Sequence, residues 1–177
     1  MATVWITGAS SGIGEATAYV YAAKGDRLIL TSSSRDRLEP VAARCLEKGA
    51  ADVRVVACDL RDREAIPTLI KSAWAAFGTI DTAILNAGIS QRTKIEDTSM
   101  AMVREIMEVN FFAPVAIGGA LAPLMAAEGG GRIAVTTSIA GKFGFPLRCG
   151  YSSSKFALYG YFETLRAEYH SQGISVT

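Results

Sequence analysis

Short apolar runs alternate with longer stretches of helical periodicity along the whole chain, and this alternation narrows the possible folds more than any other feature. The runs cover residues 3–7, 27–31, 53–57, 82–85, 132–137 and 174–177. Each is apolar nearly throughout, as expected when helices cover both faces of a parallel sheet. In the first helical stretch Ile13, Thr17, Val20 and Tyr21 fall on one face, a predicted apolar stripe, and Gly25 is placed to stop it. The second runs from Arg35 to Lys48 and ends at Gly49. The third covers residues 63–77 and ends at Gly78, with Pro67 tolerable near its start. The fourth begins near Ser99 and continues toward Ala127 with a bend expected at Pro114, and the fifth runs from about Tyr151 to Ser171. Residues 129–131 make a tight helix-to-strand connection. The pattern predicts one α/β domain over residues 1–177, a doubly wound parallel sheet with helices on both faces (Rossmann-type). Such a sheet usually continues past its sixth strand, so C-terminal elements are expected to be missing.

Composition excludes several function classes. Eighteen basic and seventeen acidic residues leave a formal net charge of +1, and no Lys/Arg run forms a nucleic-acid surface. Cys45, Cys58 and Cys149 have neither metal-ligand spacing nor a Cys-x-x-Cys pairing, so no metal site is expected and a reducing compartment suits them. The N-terminus passes almost directly into a strand without a leader-like segment, and no uninterrupted apolar stretch is expected to span a bilayer. The expected setting is cytoplasmic, without membrane or nucleic-acid partners.

The first strand runs into Thr7-Gly8-Ala9-Ser10-Ser11-Gly12-Ile13-Gly14 and then a helix. Glycine lets the chain turn sharply, lets backbone approach a pyrophosphate and lets the helix pack closely on the strand. The helix N-terminus then offers free N–H groups and a positive dipole end. The spacing, Gly-x-x-x-Gly-x-Gly, resembles the signature of the short-chain dehydrogenase/reductase family, in its simple single-domain branch. Later motifs agree in order: Asp59 after the third strand, Asn86-Ala87-Gly88 after the fourth, then Asn110, Ser138, Tyr151 and Lys155. The resemblance spans residues 1–177.

Tyr151 and Lys155 stand four residues apart in a helical stretch and so share a face. A free phenol titrates near ~10, and an ammonium one turn away favours the phenolate. Lowering a phenol by about 3 units takes roughly 4 kcal/mol. Taken alone, Tyr-x-x-x-Lys reads as an ordinary helix-surface pair. The resemblance implies more: Tyr151 as general acid for reduction and base for oxidation, Ser138 donating to the substrate oxygen, Lys155 tuning Tyr151 and bonding the nicotinamide ribose. It also implies that Asn110 holds a water linked to a proton relay. Asn110 reads from the residues alone as a kink residue satisfying backbone near Pro114.

The same resemblance assigns cofactor contacts to Gly8, Ser10, Ser11, Gly12, Ile13 and Gly14, to Asp59 and Leu60, and to Asn86, Ala87 and Gly88. Asp59 otherwise reads as the N-cap of the third helix. The end of the second strand, Ser32-Ser33-Ser34-Arg35, lacks the carboxylate that bonds a ribose 2′-hydroxyl. Ser33 and Arg35 are candidates for a 2′-phosphate site, although family members that prefer NADP commonly place arginine where this chain has Ser33. NADP(H) is therefore favoured, with NAD(H) the alternative.

Phe143, Phe145 and Leu147 are expected to wall the substrate pocket, with Gln91 and Arg92 contributing. His170, the only histidine, sits late in the last helix as a charge partner for its end. The expected activity interconverts a carbonyl and a secondary alcohol by hydride transfer. The alternatives are a cofactor-binding regulatory protein and a non-redox epimerase or dehydratase on the same scaffold. The resemblance also implies a homodimer or homotetramer through the fourth and fifth helices, where Phe111, Phe112, Phe156, Tyr159, Tyr161 and Phe162 supply aromatic surface.

Overall fold

The computed structural model describes residues 1–177. Six strands, β1 (Thr3–Thr7), β2 (Arg27–Thr31), β3 (Asp52–Val55), β4 (Thr82–Leu85), β5 (Gly131–Val135) and β6 (Ile174–Val176), form one sheet. All pairs are parallel, in the order β3-β2-β1-β4-β5-β6. Thr7 pairs with Thr31 on one side and Leu85 on the other, so the central strands end flush. β3, β5 and β6 end one or two residues before the apolar runs do. Their continuations still bond to the neighbouring strand, Val56 N–H to the Leu30 carbonyl and Thr136 N–H to the Leu85 carbonyl.

Period-two alternation divides the strands between two cores. Val4, Ile6, Leu28 and Leu30 pack with α1 (Gly12–Ala22) and α2 (Arg35–Glu47). Trp5, Ile29, Leu85 and Ile133 pack with α3 (Ile66–Phe77), α5 (Ala113–Ala127) and α6 (Cys149–Tyr169). Trp5 is fully buried, and its indole N–H donates to the Thr31 hydroxyl at 2.9 Å. The winding direction reverses between β1 and β4, and in open α/β sheets the strand ends at such a reversal hold ligands.

Three elements differ from expectation. The buried face of α1 is Gly14, Ala18 and Ala22, whereas Ile13 and Val20 are exposed and Thr17 and Tyr21 half-buried. Small side chains at i, i+4 and i+8 bring the helix backbone close to β1, and that spacing leaves the larger residues outside. Helix α3 starts at Ile66, behind a turn over residues 62–65, with Pro67 in its first turn. The fourth helical stretch is α4 (Met100–Met107), a π turn over Glu108–Phe112, and α5. Pro114 has no N–H to donate to the Asn110 carbonyl four residues back, so the α-helical ladder is interrupted there. The whole helix, Met100–Ala127, is long and apolar enough to cross a membrane by length and composition, contrary to the sequence expectation. In the fold Ile117, Leu121 and Met125 bury its apolar side in the core against the sheet.

Candidate functional site

The carboxyl ends of β1 to β5 open into one cleft of about 800 Å³. Ser10, Ser11 and Ile13 of the glycine turn line it. Gly8, at φ +68°, presses against the loop after β4: a Cβ there would lie 2.8 Å from Ala87 Cα. A Cβ on Gly14 would lie 2.1 Å from the Gly8 carbonyl oxygen. Gly14 therefore packs α1 on the turn instead of lining the cleft, and Gly12 does not line it either. Ser11 is the N-cap of α1 but makes no side-chain cap, which leaves the first N–H groups open to a ligand. The acid in that turn, Glu15, is engaged by the Tyr19 hydroxyl at 2.7 Å. A dinucleotide pyrophosphate fits this cradle: glycine where the backbones touch, uncapped N–H groups, and hydroxyls at the rim.

The loop after β4 is held from three sides. The Thr7 hydroxyl oxygen accepts from Asn86 N–H at 3.0 Å and Ala87 N–H at 3.2 Å. Thr136 donates its hydroxyl to Asn86 Oδ1 at 3.2 Å. Asn110, 1% exposed, accepts from Ile89 N–H at 2.8 Å. Its Nδ2 donates to the Ile89 carbonyl at 2.9 Å and to Ser154 Oγ at 3.1 Å. Asn110 thus does not line the cleft, and its amide satisfies the backbone at Ile89 instead of that near Pro114. It ties the Asn86-Ala87-Gly88 loop to α6.

Tyr151 and Lys155 on α6 and Ser138 just after β5 all line this cleft. Lys155 is 3% exposed; its Nζ donates to the Thr136 carbonyl at 2.8 Å and lies 5.6 Å from the Tyr151 ring centroid. Burial holds the ammonium down to about 8 from its ordinary value of 10.5. Ser138 Oγ accepts from Ala140 N–H at 3.1 Å, capping a 3₁₀ turn at Ile139–Gly141, which leaves its O–H to donate into the cleft.

The Lys155 shift carries a stability prediction. Its folded value lies below its unfolded one, so between about pH 8 and 10.5 the unfolded chain binds the extra proton. Stability then rises with pH across that window, and below it the native state bears the full cost of the buried charge. Denaturant unfolding of wild type and Lys155→Met should diverge by ~3 kcal/mol between those pH values, the wild type gaining. Parallel curves would refute the assignment.

Gln91 has a different role from the pocket contact expected of it. It is buried, its Oε1 accepts from Tyr151 N–H at 3.1 Å and its Nε2 reaches Cys149 Sγ at 3.4 Å. It caps the first turn of α6, the helix that carries Tyr151 and Lys155. Phe145 lines the cleft, while Phe143, Leu147 and Arg92 do not; Phe143 stacks on Phe145 at 5.0 Å between ring centroids. Arg148, Thr136 and Ser90 line it without having been singled out from the sequence.

At the far end Ser32, Ser33, Asp59, Leu60 and Arg61 form the wall. Arg35 is turned away: it pairs with Glu39 at 3.0 Å and donates to the Val55 carbonyl at 3.2 Å. Its guanidinium therefore braces the start of α2 against β3. Asp59 does not cap α3, whose N-cap is Ala65. It accepts from Arg61 through the backbone N–H at 3.0 Å and the guanidinium at 2.7 Å. These bonds from Arg61 hold the carboxyl below its ordinary range. Arg61 also reaches Glu105 of α4 at 3.2 Å.

Residues 2–177 match the family model described as short chain dehydrogenase. Human dehydrogenase/reductase SDR family member 7 is 39% identical over 93% of this chain, and the chain spans 50% of that relative. The crystal structure of a metagenomic short-chain oxidoreductase in complex with NADP superposes with a TM-score of 0.94 at 29% identity, covering 99% of this chain and 80% of that one. A bulky-bulky ketone specific alcohol dehydrogenase from Comamonas testosteroni gives 0.92 at 26% identity, covering 98% of this chain and 69% of that one.

Proposed function

The chain belongs to the short chain dehydrogenase family, and on that premise we propose that it interconverts a carbonyl and a secondary alcohol with an NAD(P) cofactor. The observation that carries this reading is that Tyr151, Lys155 and Ser138 line the same cleft as the glycine turn. When bound, the dinucleotide supplies a hydride for reduction and accepts one in oxidation. The Tyr151 phenol gives its proton to the carbonyl oxygen in reduction and takes it back in oxidation. The Ser138 hydroxyl donates to the same oxygen and steadies its developing charge. The Lys155 ammonium, 5.6 Å from the Tyr151 ring centroid, gives up its charge above about pH 8. Gln91 caps the helix that carries Tyr151 and Lys155, and Asn110 ties that helix to the loop after β4.

Ser10, Ser11, Ile13 and the N-terminus of α1 would hold the pyrophosphate, and Asp59 and Leu60 the adenine. We assign a preference for NADP(H), because hydroxyls at Ser32 and Ser33 line the cleft and no carboxylate stands at the end of β2. Arg35 contributes only by releasing Glu39. Nicotinamide fluorescence titrations with NADPH and NADH test both points. Tighter binding of NADPH is expected; equal binding would remove the 2′-phosphate site, and no binding of either would remove the function.

The reading extends to a homodimer or homotetramer. Phe112 on the π turn and Phe156 on α6 are about half exposed and offer the surface for it. A monomer mass in light scattering at micromolar concentration would count against this assembly.

A further inference from the structure

We propose that Arg148 selects carbonyl substrates that carry a carboxylate beside the carbonyl group, an inference that rests on the reading of this cleft as a carbonyl-reducing site. The charges lining the cleft are arranged asymmetrically. At the adenine end Arg61 is neutralised by Asp59 and Glu105. At the end formed by Ser90, Thr136, Ser138, Phe145 and Tyr151, the ionisable groups besides Tyr151 are Arg148 and Lys155, and no carboxylate is present. Lys155 is committed to the Thr136 carbonyl. Arg148 is in no ion pair.

Arg148 is half-buried, so its charge is only partly relieved by solvent. Its Nη1 donates to Ser90 Oγ, and its guanidinium carbon lies 6.0 Å from the Tyr151 ring centroid. A guanidinium has five N–H donors in a planar fork, so Ser90 leaves most of them available. That fork matches a carboxylate in bidentate geometry. The backbone just before it is fixed in an unusual conformation. Leu147 is the only non-glycine residue with positive φ, at 65°, and its carbonyl is held by Thr93 N–H at 3.1 Å. Such conformations persist where the surroundings over-determine them, which is common at ligand sites. Phe145 supplies apolar surface on the same wall. The site therefore suits an oxo acid with an apolar substituent.

The test compares phenylglyoxylate with its uncharged methyl ester in NADPH-dependent reduction by the wild type, Arg148→Met and Arg148→Lys. Wild type should favour the acid in kcat/KM. In Arg148→Met the acid-to-ester ratio should fall by ~10–100-fold, the span of a charge-assisted pair, and Arg148→Lys should retain part of it. Because a ratio is read, general damage to the fold cancels. A ratio unchanged by Arg148→Met, or a wild type indifferent to the charge, overturns the proposal. Calorimetry of phenylglyoxylate on the NADP⁺-loaded protein separates the two readings. Arg148-dependent binding with neither ketone turned over would refute the carbonyl-reducing function and leave the anion site standing. Binding that is absent, or equal in wild type and Arg148→Met, refutes the anion site.

Discussion

Replacing Tyr151 by Phe should lower kcat for ketone reduction by ~10²–10⁴-fold, the usual contribution of a positioned general acid, while NADPH affinity stays within a few-fold. The substitution removes one oxygen and little volume. The ring stays on α6, whose first turn is fixed by the Gln91 amide through the Tyr151 backbone N–H. Lys155 is likewise untouched, since its Nζ bonds the Thr136 carbonyl and not the phenol. The substrate oxygen would keep the Ser138 hydroxyl as a donor but would lose the phenol that gives it a proton. Stopped-flow turnover and fluorescence titration on one preparation check both halves. Turnover within ten-fold of wild type would mean that another group carries the proton. A parallel loss of cofactor binding would mean that the phenol is structural.

Gly14→Ala should be the more damaging of two substitutions in the same turn. A Cβ at Gly14 would meet the Gly8 carbonyl oxygen at 2.1 Å and Asn86 Nδ2 at 2.7 Å. The first is backbone and cannot rotate away, so α1 and the turn must separate. Overpacking of this kind costs ~1–3 kcal/mol or more, and a shift of about 1 Å in a positioning element can cost ~10²-fold in function. Gly12→Ala is the internal comparison. Nothing lies within 4 Å of its Cβ, and only its φ of +58° is unfavourable. It should lose about 1 kcal/mol from backbone strain. Denaturant unfolding and NADPH titration of both variants decide the matter; equal losses would show that close packing of α1 on Gly8 is not what the turn requires.

Much of this site could be read before the fold was known because its logic is local. Tyr151 and Lys155 stand one helical turn apart, and the glycines sit between a strand and a helix, so spacing alone places them. The sheet followed from apolar runs of strand length. What escaped depends on partners distant in sequence. Arg35 looks like a phosphate ligand until the Val55 carbonyl, twenty residues on, is found beneath it. Gln91 looks like a pocket residue until the fold brings Tyr151 N–H to its amide across sixty positions. The inner face of α1 departs from its periodicity for another reason. Gly14, Ala18 and Ala22 carry little hydrophobic signal, so periodicity favoured Ile13 and Val20, which close backbone packing leaves outside.

The π turn gives the long helix two separate phases. In an uninterrupted α-helix, residues eleven apart differ by about 20° around the axis, so Ile106 and Ile117 would form one stripe. In the fold they serve different neighbours. Ile117 joins the core against the sheet, whereas Ile106 Cδ1 sits 3.3 Å from the Cβ position of Gly150, at the start of α6. The extra residue turns the downstream half by about 100° relative to the upstream half. One continuous helix can thereby pack on the sheet and the middle of α6 with its second half and on the start of α6 with its first. Deleting a single residue between 108 and 112 would restore one phase to both halves and force the chain to give up one of those two contacts.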